Sequence, residues 1–228
     1  MADAQPAFLV IPVKPFAGAK QRLASRLPDG ARRLLSRVLA THVVACAARA
    51  WPRSRLLVVG DDPQTEELCR KLGLSRIGDP GAGQSAAVRL GQAWSRERGA
   101  RTLVTIPADL PWLETADVEE LGRLAGRRPE RSLLAFPDAQ GEGTNGLVVR
   151  PAEADVCHFG PGSLGRHREA AADLGLTFEV CHQEHLAWDL DRFQDLDPQG
   201  AGPGHPVLAW TREVAELVAG GRGGAGGR

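Results

Sequence analysis

The sequence predicts an α/β protein with a Rossmann-like, mixed but mostly parallel sheet and helices on both faces. Short apolar runs alternate with amphipathic stretches as far as about residue 130, and this alternation is typical of a parallel sheet covered by helices. The run over residues 102–106 is β-branched and is followed by Pro107, which bars it from continuing as a central strand. Asp109 therefore lies just past the carboxyl end of a buried strand.

The first half supplies the regular part of this pattern. Strands are predicted over residues 8–13, 55–59, 75–77 and 102–106. Helices are predicted over residues 21–27, 31–50, 65–72, 84–97 and 116–124, with Thr115 as the N-cap of the last. In the helix over 31–50, apolar side chains recur at helical spacing and define one buried face.

After about residue 130 the alternation loosens, and the second half is expected to build a pocket over the first. Strands are predicted over 132–137, 146–149 and 177–180, and helices over 163–174 and 207–218. No repeat or linker divides the sequence, so residues 1–219 are expected to form a single domain. The tail 220–228, GGRGGAGGR, cannot bury enough apolar surface and is expected to be disordered.

The composition of the chain bears on its possible partners and on its location in the cell. The 228 residues are 43% hydrophobic, and 28 basic side chains balance 28 acidic ones. A formal net charge of zero favours neither nucleic acid nor an anionic membrane as a partner, and no apolar run approaches the ~20 residues that span a bilayer. Since the sequence shows no secretory signal and its four cysteines are scattered, a cytoplasmic location is expected.

Two stretches point to a site for a cation and phosphates. Asp109 stands at the strand edge where open α/β sheets bind ligands, and a carboxylate there is costly to bury without a cation; a helix N-cap is the alternative. The loop PVKPFAGAKQRL carries Lys14, Lys20 and Arg22 around Gly18 directly after a strand. Free backbone N–H groups and cations suit a polyphosphate, although a solvated basic turn remains the alternative.

Two glycine-rich stretches of the second half offer polar groups to a ligand. In DAQGEGTN, Thr144 and Asn145 supply a hydroxyl and an amide beside glycines, or the stretch is a flexible hairpin turn. In FGPGSLGRH, Gly160 precedes Ser163, which opens a helix that carries Arg166. Helix N-termini bind anions and arginine binds them bidentately; a plain N-cap role for Ser163 is the alternative.

The stretch LAWDLDRFQDL carries a pair of carboxylates. Asp189 and Asp191 point to the same side if the segment is extended. Two converging carboxylates repel unless a cation lies between them, and hard oxygen ligands of this kind suit Mg²⁺. A polar strand edge or a helix cap is the alternative interpretation.

At these motifs the sequence resembles the CofC/FbiD family, the 2-phospho-L-lactate or phosphoenolpyruvate guanylyltransferases of coenzyme F420 biosynthesis. The resemblance runs from about Phe8 to Asp195 and is carried by PVKPFAGAKQRLASRL, IPADLPWL, GEGTNGL, FGPGSLGRHREAA and LAWDLDRFQDL. It implies a nucleotide-diphospho-sugar transferase, MobA-like fold, and Mg²⁺ held by Asp109, Asp189 and Asp191. Departures from the usual family motifs fall at Gln21, Glu142 and the pair Gln84-Ser85.

The resemblance also implies roles for individual side chains. It assigns catalytic roles to Lys20, Arg22 and Asp109. The residues it places at the nucleotide are Lys14, Lys20, Gln84, Ser85 and Ala108. At the phosphorylated acid it places Thr144, Gly160 and Ser163, and the local sequence adds Asn145 and Arg166 as predicted contacts.

The expected reaction is transfer of GMP from GTP to the phosphate of 2-phospho-L-lactate, phosphoenolpyruvate or 3-phosphoglycerate, with release of pyrophosphate. Another MobA-like nucleotidyltransferase, such as a cytidylyltransferase, and a non-catalytic protein that binds a phosphorylated metabolite are the rival hypotheses. A downstream enzyme of F420 biosynthesis and a second copy of the chain, forming a homodimer, are candidate partners.

Overall fold

The structure is a computed structural model that describes residues 6–191 apart from positions 26 and 80. The predicted helix over 207–218, the predicted tail 220–228 and the end of the late acidic stretch lie outside the described residues. Within the described part of the chain, no helix is long and apolar enough to cross a membrane.

Among the described residues, seven strands form a central sheet in the order β3-β2-β1-β4-β6-β5-β7. Its strands are β1 (Ala7–Pro12), β2 (Leu56–Val59), β3 (Ser75–Ile77), β4 (Thr102–Thr105), β5 (Ser132–Pro137), β6 (Thr144–Arg150) and β7 (Thr177–Val180). The first four strands are parallel to one another. β6 runs antiparallel to both of its neighbours, and β7 is parallel to β5. The predicted mixed, mostly parallel sheet is therefore confirmed.

Helices cover both faces of this sheet, as the alternation predicted. They are α1 (Asp29–Ala50), α2 (Pro63–Leu72), α3 (Gln84–Glu97), α4 (Thr115–Gly126), α5 (Ser163–Asp173) and α6 (Glu184–Ala187). Alternate side chains of each central strand enter different cores. Leu9 and Val104 pack with α1 and α4 on one face, whereas Val10 and Leu103 pack with α3 and α5 on the other.

The element boundaries correct several predictions. The predicted helix over 21–27 is a 3-10 turn at Gln21–Leu23, and α1 begins at Asp29. The N-cap of α4 is Glu114 rather than Thr115, because Glu114 and Asp117 form a reciprocal capping box. Strand β6 starts two residues earlier than predicted, so that Thr144 and Asn145 belong to the sheet and not to a flexible turn.

The helix ends also show that neither Asp109 nor Ser163 is a helix N-cap, which was the alternative interpretation of each residue. Asp109 is not a helix N-cap, because the helix that follows it is capped at Glu114. Ser163 is the first residue of α5 and its N-cap is Gly162, whose φ of 66° lies in the left-handed region that favours glycine. The short helix α6 has no counterpart among the predicted elements.

Candidate active site

The direction of each strand determines which residues meet at one edge of the sheet. Lys14 follows the carboxyl end of β1, and Asp109 follows that of β4. Because β6 is antiparallel to β4, its amino end lies at the same edge and presents Thr144 and Asn145 there. The edge therefore joins the parallel half of the sheet to the antiparallel half.

A cluster of three carboxylates lies at this edge. One carboxylate oxygen each of Asp109, Asp189 and Asp191 lies within 4.8 Å of the other two. The late segment is held there by its backbone, since the Leu190 N–H donates to the Asp109 carbonyl at 3.1 Å. Asn145 Nδ2 also donates to the Ala187 carbonyl and, at 3.4 Å, to Asp189 Oδ1. The structure thus brings together the three residues predicted to bind metal.

The predicted cations of the first loop reach the same cluster. Lys20 Nζ lies 2.7 Å from Asp109 Oδ2 and 3.2 Å from Asp191 Oδ1. Arg22 Nη1 lies 3.1 Å from Asp191 Oδ2. Lys20 adopts the left-handed conformation, with φ 53°, which is uncommon for a residue with a Cβ. Its ammonium group is nearly buried, with 7% of the side chain exposed, whereas the Arg22 side chain is 63% exposed.

Burial and ion pairing act in opposite directions on these groups. Burial alone lowers the pKa of Lys20, but its pairing with Asp109 and Asp191 more than compensates, so that its pKa lies above the ordinary value. Burial alone raises the pKa of Asp109, and the paired Lys20 brings it below the ordinary value. Burial, with Asp109 and Asp191 nearby, raises the pKa of Asp189 to about 6. The cluster therefore carries negative charge that Lys20 does not fully compensate at Asp189.

The donor set of the cluster fits a divalent cation. Its three donors are carboxylate oxygens close enough to one another to share one ion. Mg²⁺ takes hard oxygen ligands and typically binds one or two carboxylates together with waters and substrate phosphates. The residues present are therefore of the type that Mg²⁺ requires.

Two cavities open on either side of the cluster. The first is lined mainly by apolar side chains such as Phe16, Ala40 and Ala87. Four of the residues predicted to bind a nucleotide line it, namely Lys14, Lys20, Gln84 and Ala108. The fifth, Ser85, has its hydroxyl engaged elsewhere, because Ser85 Oγ accepts a hydrogen bond from the Phe159 N–H at 2.9 Å. Ser85 thus connects α3 to the loop before α5.

The second cavity is polar and is built from loops of the second half. Four of the residues predicted to bind the acid line it, namely Thr144, Asn145, Gly160 and Ser163. Arg22 and Asp189 also contribute, while Lys14 and Asp191 line both cavities. The two cavities thus meet at Lys14 and at the carboxylate cluster.

Arg166, the remaining residue predicted to bind the acid, braces the loop before α5. Its Nε and Nη2 donate to the His158 carbonyl at 3.1 and 3.0 Å, and its Nη1 donates to the Pro161 carbonyl. Between these carbonyls lies Gly160, whose φ of 119° is rarely accessible to other residues. The guanidinium therefore holds the backbone that forms one wall of the second cavity, and its contact with the acid stays a prediction.

His167 is a residue of this site to which the sequence assigned no role. It is fully buried, and its Nδ1 lies 3.0 Å from Thr144 Oγ1. Its Nε2 lies 3.3 Å from the His158 backbone nitrogen, and the Phe159 ring packs edge-on against it at 5.0 Å. The sequence does contain a pattern that predicts its burial. Ser163, His167 and Ala171 are spaced at intervals of four and form the buried face of α5.

Comparison with known sequences identifies close relatives along most of the chain. The family model described as guanylyl transferase CofC like matches residues 7–198. A phosphoenolpyruvate guanylyltransferase from Rubrobacter xylanophilus is 40% identical over 189 residues, which are 83% of this chain and 91% of that protein. Proteins of the same name from Sphaerobacter thermophilus and Conexibacter woesei are 37% and 35% identical; the matches cover 82% and 96% of this chain and 89% and 91% of theirs.

Comparison with solved structures concerns the fold. A protein described as a nucleotide-diphospho-sugar transferase, from Desulfovibrio desulfuricans G20, superposes with a TM-score of 0.70 at 15% identity, over 95% of this chain and 98% of that one. A cytidylyltransferase from Leptospira borgpetersenii gives a TM-score of 0.57 at 10% identity, over 96% of each chain. The predicted nucleotide-diphospho-sugar transferase fold is confirmed.

Proposed function

Because this chain belongs to the CofC-like guanylyl transferase family, we propose that it transfers GMP from GTP to the phosphate of phosphoenolpyruvate and releases pyrophosphate. The observation that carries the proposal is the meeting of two cavities at one charged cluster, with Lys14 and Asp191 common to both. Transfer between two anionic substrates needs such an arrangement, because both must approach one point while their charges are compensated.

The first cavity is proposed to hold the nucleotide, and the second the acid. An apolar lining suits the faces of a purine base, and Lys14 and Lys20, which line the same cavity, are proposed to contact the phosphates. The polar second cavity, with Thr144, Gly160 and Ser163, offers donors to the anionic oxygens of the acid. The α-phosphorus would then lie between the two cavities.

The chemical step is an in-line displacement. A phosphate oxygen of the acid forms a bond to the α-phosphorus, and the bond from that phosphorus to the bridging oxygen of pyrophosphate breaks. The attacking phosphate monoester has a second pKa of about 6 and is largely a dianion near pH 7. It therefore needs no general base, and the protein contributes position and charge compensation. Lys20 and Arg22 are proposed to stabilise the negative charge that develops on the leaving pyrophosphate.

Asp109, Asp189 and Asp191 are proposed to hold Mg²⁺. When bound there, the ion would withdraw charge from the α-phosphate and reduce the repulsion between the two substrates. The 2.7 Å contact of Lys20 with Asp109 gives the free protein a cation at the same carboxylates. Lys20 thereby keeps Asp109 ionised and ready to bind a metal.

The test is pyrophosphate release with Mg²⁺ and GTP, offered in turn with phosphoenolpyruvate, 2-phospho-L-lactate and 3-phosphoglycerate, while CTP and ATP serve as nucleotide controls. The enzyme that next consumes the product in coenzyme F420 biosynthesis is included, so that the product is removed as it forms. Release with GTP and phosphoenolpyruvate is expected. Release with another acid would reassign the acceptor, and release only with CTP would overturn the proposed nucleotide. Heat stabilisation by ligands without any release would favour the non-catalytic hypothesis.

A further inference from the structure

The buried His167 ring has a tautomer that its neighbours determine. The His158 backbone N–H can only donate, so the Nε2 atom that it faces at 3.3 Å must be the acceptor. A neutral imidazole with a free lone pair on Nε2 carries its hydrogen on Nδ1. Burial, with His158 and Arg166 nearby, lowers the pKa of His167 to about 3, so the ring is neutral near pH 7. His167 Nδ1–H therefore donates to Thr144 Oγ1.

This donation determines what Thr144 can offer to a ligand. A hydroxyl has one hydrogen to donate, and here its oxygen already accepts from His167 at 3.0 Å. Among the described residues no second side-chain hydrogen bond to Thr144 Oγ1 is found, so its hydrogen remains available on the side of the second cavity. The oxygens of a phosphate or carboxylate only accept, and they require a donor. The opposite tautomer would instead take up the hydroxyl hydrogen and direct a lone pair at the anion.

We propose that His167 is a positioning residue that holds the Thr144 hydroxyl as a hydrogen-bond donor to an anionic oxygen of the acid. The assignment rests on the proposed function insofar as the acid occupies the second cavity. It predicts that His167 affects binding of the acid, through Thr144, and leaves binding of the nucleotide unchanged. It also gives a role to an imidazole that lies fully buried on α5.

The first measurement is independent of turnover. Nitrogen NMR of the protein labelled at histidine, with His167→Asn to assign the signal, reports which ring nitrogen carries the hydrogen. We expect a neutral ring protonated at Nδ1 from pH 6 to pH 8. A ring protonated at Nε2, or one charged near pH 7, would overturn the proposal whatever the enzyme's substrate.

The second measurement compares two amides at position 167. Asparagine places its NH₂ group near the position of Nδ1 and keeps the donor to Thr144, whereas glutamine places its amide near Nε2 and loses it. We expect KM for the acid to rise about tenfold or more in His167→Gln, as for loss of one hydrogen bond to a charged group, and to stay near the wild-type value in His167→Asn. KM for the nucleotide should not change in either variant.

The partner of His167 supplies the control. In a Thr144→Val background, His167→Gln is expected to have no further effect on KM for the acid, because the two residues act as one unit. Equal effects of the asparagine and glutamine variants, or a further loss in the Thr144→Val background, would contradict the positioning role. If the wild-type protein releases no pyrophosphate with any acid, the proposed function fails, while the NMR result still decides the tautomer on which the inference depends.

Discussion

The two cavities that meet at the carboxylate cluster are built in different ways. The first lies over the parallel strands, and its walls are core side chains such as Phe16 and Ala87. The second lies over the antiparallel strand β6 and is walled by loops, which are held by Arg166, His167 and Ser85 through hydrogen bonds to backbone or to Thr144. The first cavity is therefore shaped by packing, and the second by individual hydrogen bonds.

Because the two cavities are built differently, substitutions at the cluster and in the second cavity should have different effects. A change at the shared cluster should affect the reaction with both substrates. A change in a residue that holds the loops of the second cavity should affect KM for the acid and leave KM for the nucleotide unchanged. Substitutions at the cluster and in the loops therefore test whether the two cavities act separately, and those at the cluster should have the largest effects.

Asp109→Asn is expected to reduce the rate of pyrophosphate release about a thousandfold or more, because it removes a charge at the point where both cavities meet. The fold should survive, since the side chains of the core are untouched. Release assays with circular dichroism check both statements. Asp173→Asn, an exposed aspartate at the end of α5, is the matched control and should behave as wild type. Wild-type turnover in Asp109→Asn would refute the proposed metal site.

Lys20→Met is expected to lower turnover about a hundredfold, the scale on which loss of one preorganised charged or polar group acts in a dry site. Arg22→Gln should cost only a few-fold, because the Arg22 side chain is 63% exposed and its charge is screened by water. Steady-state kinetics of both variants provide the comparison. Equal losses would mean that burial of Lys20 does not distinguish the two cations.

The free energy of unfolding of the protein should depend on pH because His167 is buried beside the second cavity. Its pKa is about 3 in the folded protein and about 6.5 in an unfolded chain. The unfolded state therefore takes up the proton first, and the stabilisation, fully present above pH 6.5, is lost as pH falls from 6.5 toward 3. Between pH 7 and pH 5 the wild-type protein should lose about 2 kcal/mol more than His167→Asn does.

Urea unfolding of both proteins at the two pH values measures this difference. Every other titrating group is common to wild type and variant, so its contribution cancels in the comparison. Equal losses of stability in the two proteins would show that His167 is not buried as a neutral ring.

Ser85→Ala is expected to give the smallest effect. It leaves the Phe159 N–H without its partner, which costs about 1 kcal/mol of stability, and should raise KM for the acid two- to threefold (~0.5 kcal/mol). Ser36→Ala, a serine of the same chemistry that lines the first cavity, is the control and should leave KM for the acid unchanged. A rise in KM for the nucleotide alone in Ser85→Ala would instead favour the nucleotide contact that the family resemblance implies.

The features of the fold and of the site that depend on patterns within a short stretch of sequence could be predicted. The strands and helices of the first half follow from the alternation of apolar and amphipathic stretches. Asp109, Asp189 and Asp191 stood out because a strand end and a two-residue spacing are visible in the sequence itself. Their convergence depends on the antiparallel placement of β6 and on the 3.1 Å bond from Leu190 to Asp109.

The features that sequence reasoning missed depend on contacts between distant residues. The hydrogen-bonded residues are far apart in the sequence: 89 positions separate Lys20 from Asp109, 74 separate Ser85 from Phe159, and 23 separate His167 from Thr144. No propensity or spacing encodes such pairs, since each arises only when loops from different strands are brought to one edge. The hydrogen bonds of the Arg166 guanidinium to the carbonyls of its own loop were also not predicted, and its contact with the acid stays a prediction.

The bond from the Leu190 N–H to the Asp109 carbonyl has a consequence for the order in which the protein is made. All strands of the described sheet are complete at Val180, whereas two of the three clustered carboxylates come afterwards. A nascent chain that has left the ribosome as far as β7 therefore contains every described strand but only Asp109 of the cluster. The carboxylate cluster is therefore completed only after the last described strand has been made, so that the sheet edge exists before all three carboxylates are present at it.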